Sequence, residues 1–233
     1  MASSQKSFYI VLGIVVVAGG AFIFSRVRSG PGVSIPANMV VTAADTSGFR
    51  GYLLGSPSAP VEITEYADYG CPHCADFDQV QFPDINTRLI VPGKARLRFR
   101  DFPIEGTQSR LAAHAAACAN DQGHFWDVKE GLFRRQTDWV LQSNPMSVIT
   151  QIVKATGLDV AAWTTCMQSA KYAGRIQASY NEGASLGVNS TPSFLIAGRI
   201  YNSVSSDQIV KLVDSLAAAA PRSSGATTPL GGQ

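Results

Sequence analysis

Histidine and cysteine are scarce in this chain: its 233 residues contain three of the first and four of the second. A zinc site built on Cys71 and Cys74 would need two further ligands, and apart from His73 the histidines are His114 and His124. His114 and Cys118, one helical turn apart, could complete a four-ligand set, but they fall far from Cys71 in the fold expected below. Surplus positive charge is absent too. The formal charge is +2 with no basic run, which excludes a dedicated nucleic-acid binder. Arg96, Arg98 and Arg100 alternate, as on one solvated strand face rather than along a phosphate track. No internal repeat is present.

One long apolar run is present. Phe8–Phe24 is 17 uncharged residues, with Lys6 before it and Arg26 and Arg28 after. That is the lower end of the length needed to span a bilayer, about 17–25 residues. A cleaved signal peptide has a shorter apolar core and a small-x-small cleavage site, and Ser25-Arg26-Val27-Arg28 is a poor one. Residues 1–28 are therefore expected to be a cytoplasmic head and an uncleaved transmembrane anchor. The flanking charges balance, so topology rests on the short head and on the cysteines, whose even number suits an oxidising compartment outside the membrane. Residues 29–49, with Gly30, Pro31, Gly32, Pro36 and Gly48, read as a tether, and 220–233 as a disordered tail. The folded domain is expected at 50–219.

Cys71-Pro72-His73-Cys74 carries the most chemical information. Two thiols at this spacing can form a reversible disulfide. At a helix N-terminus, free backbone N–H groups favour the thiolate, the form that attacks a disulfide. Pro72 fits the first turn, where its missing N–H costs nothing. His73, if protonated, adds positive charge beside the sulfurs; the alternative is a polar turn residue of little effect. Half a zinc site has the same Cys-x-x-Cys spacing, so context decides.

Val61 to Ala67 alternates and leads into the cysteines as a strand. A helix from Cys71 should place Phe77 and Val80 on one side and be kinked or restarted at Pro83. Ala95, Leu97 and Phe99 mark a second strand. Residues 107–187 read as four or five helices, one carrying Leu111, Ala115 and Cys118 on a single face. Phe125 and Trp126 suit core packing of that helical region better than a substrate platform. A hairpin about Gly198 follows. A capping box, Ser205 to Gln208, then opens the last amphipathic helix. The fold class is α/β with a helical insertion.

That order resembles the thioredoxin fold, and more narrowly the bacterial DsbA-like thiol:disulfide oxidoreductases. The matching segments are Glu65–Cys74, Arg98–Pro103, Ala115–Ala119 and Asn189–Phe194, which spread over most of 50–219. The resemblance implies Cys71 as the exposed nucleophile, Cys74 as its buried partner, and Pro192 in the cis form with the Thr191 backbone open to a peptide. It implies Pro72-His73 as the dipeptide of strongly oxidising members and Glu65 as a buried acid. It also implies no cofactor, reduced unfolded secreted proteins as substrates, and reoxidation by a quinone-linked membrane protein of the DsbB or vitamin-K-epoxide-reductase type. The protein would be a monomer anchored in a bacterial membrane, with its domain on the periplasmic side.

Alternation places Glu65 on the apolar face of its strand, where a raised pKa would let it exchange a proton with Cys74; a solvated Glu65 at an early strand end is the alternative. With Cys71 and Cys74 paired, Cys118 and Cys166 remain for a structural disulfide, or stay as two buried thiols. Tyr69, Pro72 and the Pro192 loop are expected to supply apolar surface for an unfolded peptide. Two other functions remain open: an isomerase or reductase of the same fold, and a metal-handling assembly factor using Cys71 and Cys74 as ligands.

Overall fold

The computed structural model describes residues 33–202 and 204–219. The anchor expected at 1–28 and the tail expected at 220–233 lie outside the described residues. Five strands form one sheet: β1 (Tyr52–Leu54), β2 (Val61–Ala67), β3 (Ala95–Asp101), β4 (Ser193–Ile196) and β5 (Arg199–Asn202), in the order β1-β3-β2-β4-β5. β2 lies at the centre, parallel to β3 and antiparallel to β4. Its residues from Ile63 to Ala67 are buried on both faces, as a covered central strand requires. Between β4 and β5, Ala197 and Gly198 both have positive φ (48° and 79°), the backbone of a two-residue hairpin loop. The edge strand β1 is not foreshadowed by alternation; Tyr52 is held by stacking on Phe125.

A short helix α1 (Ala43–Thr46) precedes the sheet, and α2 (Pro72–Asp76) follows β2. α2 runs into a π-helical turn, Phe77–Gln81, then α3 (Phe82–Ile85) and a second π turn, Asn86–Ile90. Pro83 occupies the first turn of α3, where no N–H is needed. The wider π turn changes the helical phase. Phe77 is buried while Val80 is 69% exposed, so the two do not share a face as expected.

Residues 107–185 contain six helical segments rather than four or five: α4 (Thr107–Asn120), α5 (Phe125–Arg134), α6 (Gln136–Trp139), α7 (Met146–Ala155), α8 (Val160–Gln168) and α9 (Ala173–Ser185). The segment α6 is one turn long and too short to show periodicity. Every residue of α4 from Leu111 to Ala119 is buried, and six of them are alanines, which let neighbouring helices approach on all sides. The Trp163 indole donates to the Ala115 carbonyl at 3.0 Å, and a Cys118–Cys166 disulfide joins α4 to α8. α10 (Ser206–Ala219) closes the domain, opened by reciprocal Ser205–Gln208 hydrogen bonds and buried through Ile209, Val210 and Val213.

Two readings need correction. The compact unit begins at Ile35, inside the segment expected as a tether at 29–49, which therefore touches the domain at some points. Ile35 is 4% exposed, and α1 lies so close to α9 that a Cβ on Gly174 would fall 2.2 Å from the Asp45 carboxylate. The alternating arginines are not a solvated face either. Arg96 and Arg98 share Glu62, each through its Nε at 2.7 Å, and Arg100 is buried against Glu182. The Arg98 guanidinium, with Arg96 beside it, holds the Glu62 carboxyl down to about 2 despite partial burial.

Candidate active site

The site forms where the chain leaves β2. The Cys71 N–H donates to the Asp68 carbonyl at 3.1 Å, closing a tight turn over Tyr69 and Gly70. The buried Asp68 carboxylate accepts the Gly70 N–H at 2.7 Å, and those of Ile104 and Glu105 at 2.6 and 2.7 Å. One side chain thus pins the loops that follow the two parallel strands to each other. Gly70 is required by proximity: a Cβ there would lie 2.4 Å from Ser109 Oγ.

Cys71 is the N-cap of α2, with extended φ/ψ of −76° and 120°, and Pro72 follows in the first turn. The Cys71 carbonyl accepts the N–H groups of Cys74 and Ala75 at 3.1 and 3.2 Å. The opposing wall is the cis Thr191–Pro192 peptide before β4; Cys71 Sγ donates to the Thr191 carbonyl at 3.3 Å. Both active-site cysteines are unbonded thiols. Cys71 is less open than the resemblance implies, at 5% exposed against 0% for Cys74.

The two sulfurs differ electrically. The Cys74 thiol donates to Cys71, and with the Thr191 side chain and the backbone N–H groups of Cys74 and His73 it brings the Cys71 pKa down to about 6, against the effect of burial. Cys74 moves the other way, well above an ordinary thiol, because it is buried and faces the Cys71 sulfur. Near neutral pH the pair therefore holds one thiolate, on the sulfur that faces the Thr191–Pro192 wall.

The family model described as Thioredoxin matches residues 49–215. The chain is 26% identical over 167 residues to a probable disulfide bond formation protein D of Bacillus anthracis, covering 69% of this chain and 76% of that one. The crystal structure of oxidised BdbD from Bacillus subtilis superposes with a TM-score of 0.65 at 25% identity, over 71% of this chain and 92% of the other. Wolbachia pipientis alpha-DsbA1 shares the fold with the same TM-score at 24% identity, over 72% and 90% of the two chains. The chain belongs to the thioredoxin family and is a DsbA-like thiol:disulfide oxidoreductase.

Around this oxidoreductase's cysteines the expected residues fall as follows. His73 and Pro72 are exposed on α2, and Pro192 is half-buried. Tyr69, expected at the surface, is 1% exposed and packs on Phe133 and Phe99, so it supplies no apolar surface. A groove of about 470 Å³ runs beside the site between His73 and Phe77 on one wall and Thr191, Pro192 and Phe194 on the other. His114 lies elsewhere: it accepts the Tyr172 N–H at Nε2 and faces Met167 through Nδ1. With Cys118 bonded to Cys166, the four-ligand zinc set does not assemble, and among the described residues no three His, Cys, Asp or Glu side chains converge on a metal position.

Glu65 is fully buried, paired in register with Phe99 and Phe194, and neither carboxylate oxygen has a partner among the described residues. Burial raises its pKa to about 7, opposed by Lys129 and helped by Asp78. Lys129 and Asp78 form a buried ion pair that sequence reading did not single out, because one lies on α5 and the other in the π turn. Glu65 holds its proton more tightly in the folded state. The stability this gives is complete below the unfolded value of 4.5 and is lost as pH rises through about 7. Glu65→Gln should therefore match the parent protein at pH 4 and exceed it by about 3 kcal/mol above pH 8. Urea unfolding at both pH values checks this; a difference independent of pH would contradict it.

Proposed function

We propose that this oxidoreductase is a membrane-tethered, extracytoplasmic oxidase that donates the Cys71–Cys74 disulfide to reduced, unfolded secreted proteins. The unequal acidity of the two sulfurs carries the reading. A stable Cys71 thiolate favours the reduced enzyme, which makes the oxidised enzyme a strong acceptor of electrons. A substrate thiolate attacks Cys71 Sγ; the Cys71–Cys74 bond breaks, and Cys74 leaves with the electron pair. Glu65, buried on the strand that leads into the pair, gives Cys74 a proton, as burial keeps both in their neutral forms. A second substrate thiolate attacks the substrate sulfur of the mixed disulfide and releases Cys71 as the thiolate. The substrate leaves with a new disulfide, and the enzyme carries two more electrons.

Pro72, His73, Thr191 and Pro192 shape the substrate contact, with the groove beside them suited to an extended apolar peptide. The Cys118–Cys166 disulfide braces the helical insertion and takes no part in exchange. Turnover needs an electron acceptor, for which a quinone-linked membrane protein of the DsbB or vitamin-K-epoxide-reductase type is the partner. This reading has the domain outside a bacterial membrane as a single-pass monomer, and the apolar run at Phe8–Phe24 supports the anchor.

Equilibration with glutathione tests the direction of electron flow. The reading expects a potential closer to about −120 mV, that of a strong oxidant, than to about −270 mV, that of thioredoxin. A value near thioredoxin's overturns it in favour of a reductase.

A further inference from the structure

Gln136 opens α6 in the helical insertion, 65 residues after the nucleophile in sequence. Its side chain reaches back into the active-site turn, and the residue is 6% exposed. Its amide nitrogen donates to the Tyr69 carbonyl at 2.7 Å and to the Cys71 carbonyl at 2.9 Å. Both neighbours can only accept, so the NH2 end of the amide must face them and both of its hydrogens are used. The Tyr69 carbonyl has no backbone donor among the described residues. One side chain thus spans the turn over Gly70 that sets the start of α2.

We propose that Gln136 is a positioning residue for the redox pair, through which the helical insertion fixes the nucleophile's backbone and sets its reactivity. This rests on Cys71 being the nucleophile. Two physical effects act in the same direction. Cys71 lies at the first turn of α2, where the N–H groups of His73 and Cys74 favour its thiolate, only while it keeps its extended N-cap conformation. A turn held at both carbonyls cannot relax out of that conformation without breaking two buried hydrogen bonds. The carbonyl oxygens also carry partial negative charge close to the sulfur. Left without a donor in a buried turn, the Tyr69 oxygen would oppose a thiolate, and the Cys71 oxygen would oppose it more with one donor fewer. The Cys71 carbonyl already serves Cys74 and Ala75, so Gln136 is a third donor on one oxygen and gathers positive partial charge at this end of the helix.

The test is Gln136→Met in the full-length chain, which keeps the side chain's length and removes both donors. Two quantities are read on the reduced protein: the midpoint of thiolate formation, followed by its ultraviolet absorbance, and the redox equilibrium with glutathione. The midpoint should rise by about one pH unit, and the equilibrium should shift roughly tenfold towards the disulfide form. The comparison variant is Gln79→Met. Gln79 donates to the Ala75 and Phe133 carbonyls, both at 3.3 Å, and so links the active-site helix to α5 away from the turn. It should leave both quantities unchanged.

A Gln136→Met midpoint equal to that of the parent protein would overturn the proposal, as would an equal rise in Gln79→Met. Should Gln136→Met not accumulate folded, Gln136→Asn, whose shorter amide cannot span both carbonyls, carries the same expectation and the same refutation. Each comparison is made against the parent protein. A thioredoxin-like parent potential would sink the oxidase reading and leave the Gln136 result to be judged by itself.

Discussion

Cys71→Ser is expected to reduce catalysed oxidative refolding of a reduced test protein to the uncatalysed background, whereas Cys74→Ser should accumulate mixed disulfides with that protein. The two thiols are three residues apart, but only one can be reached and only one is acidic. Cys71 caps α2 beneath the Thr191 carbonyl, with its pKa brought down to about 6. Cys74 is 0% exposed, with its ionisation suppressed by burial. Without Cys71 there is no attackable sulfur at the Thr191–Pro192 wall, and the buried Cys74 cannot substitute. Without Cys74, a complex formed at Cys71 loses the internal thiol that would reverse it, so it persists until a second substrate thiol resolves it. Serine retains a hydroxyl that can donate to Cys71, so the nucleophile's environment is largely kept. Non-reducing gels of both variants, incubated with the test protein under oxidising conditions, read the result. Equal mixed-disulfide yield from Cys71→Ser would contradict the assignment.

Lys129→Met should cost about 3–5 kcal/mol of folding stability, a large share of the total for an ordinary domain. Lys129 is 2% exposed and Asp78 8%, and they pair with each other within the core. Four aromatic rings, of Phe82, Phe99, Trp126 and Phe133, lie 5.1–5.7 Å from the Lys129 ammonium and further favour a cation there. Removing it strands a carboxylate in a low-dielectric region and leaves Glu65 without a neighbouring positive charge. The stranded partner, rather than the lost pair, is the source of the cost. Lys129→Met combined with Asp78→Leu should therefore recover most of the stability, since an apolar pair of similar volume needs no compensation. Urea denaturation of the single and double variants measures both effects. A loss below about 1 kcal/mol in the single variant would mean that water reaches the pair.

The legible parts of the site were those close together in sequence or marked by restricted backbone chemistry. Cys71 to Cys74 lie within one helical turn, and Pro72 could only open a helix, not continue one. The strand into the cysteines was readable from the alternation of its apolar residues, although burial there is continuous from Ile63, and the helix after the hairpin from apolar residues at helical spacing. Alternation also put Glu65 on the inner face, where the strand buries it completely. The arginines show the limit of the same reasoning. Their alternation identified a strand, but their exposure depended on Glu62, in the neighbouring strand, and on Glu182, in a helix more than eighty residues away.

Sequence by itself determined the chemistry offered here: a vicinal dithiol at a helix start, a distant Thr-Pro, an inward-facing acid and a long run of small and apolar helices. Tertiary structure decided how those groups behave. It buried Ile35, withdrew Tyr69 from the surface, joined Cys118 to Cys166, and brought Asp68 and Gln136 to the active-site turn and the Lys129–Asp78 pair near Glu65. The physical reason is that periodicity reports which face of an element is buried, not which other element covers it. The acidity of a thiol depends on burial and on donors contributed by residues remote in the chain, and these are fixed only when the sheet and the helical insertion pack together.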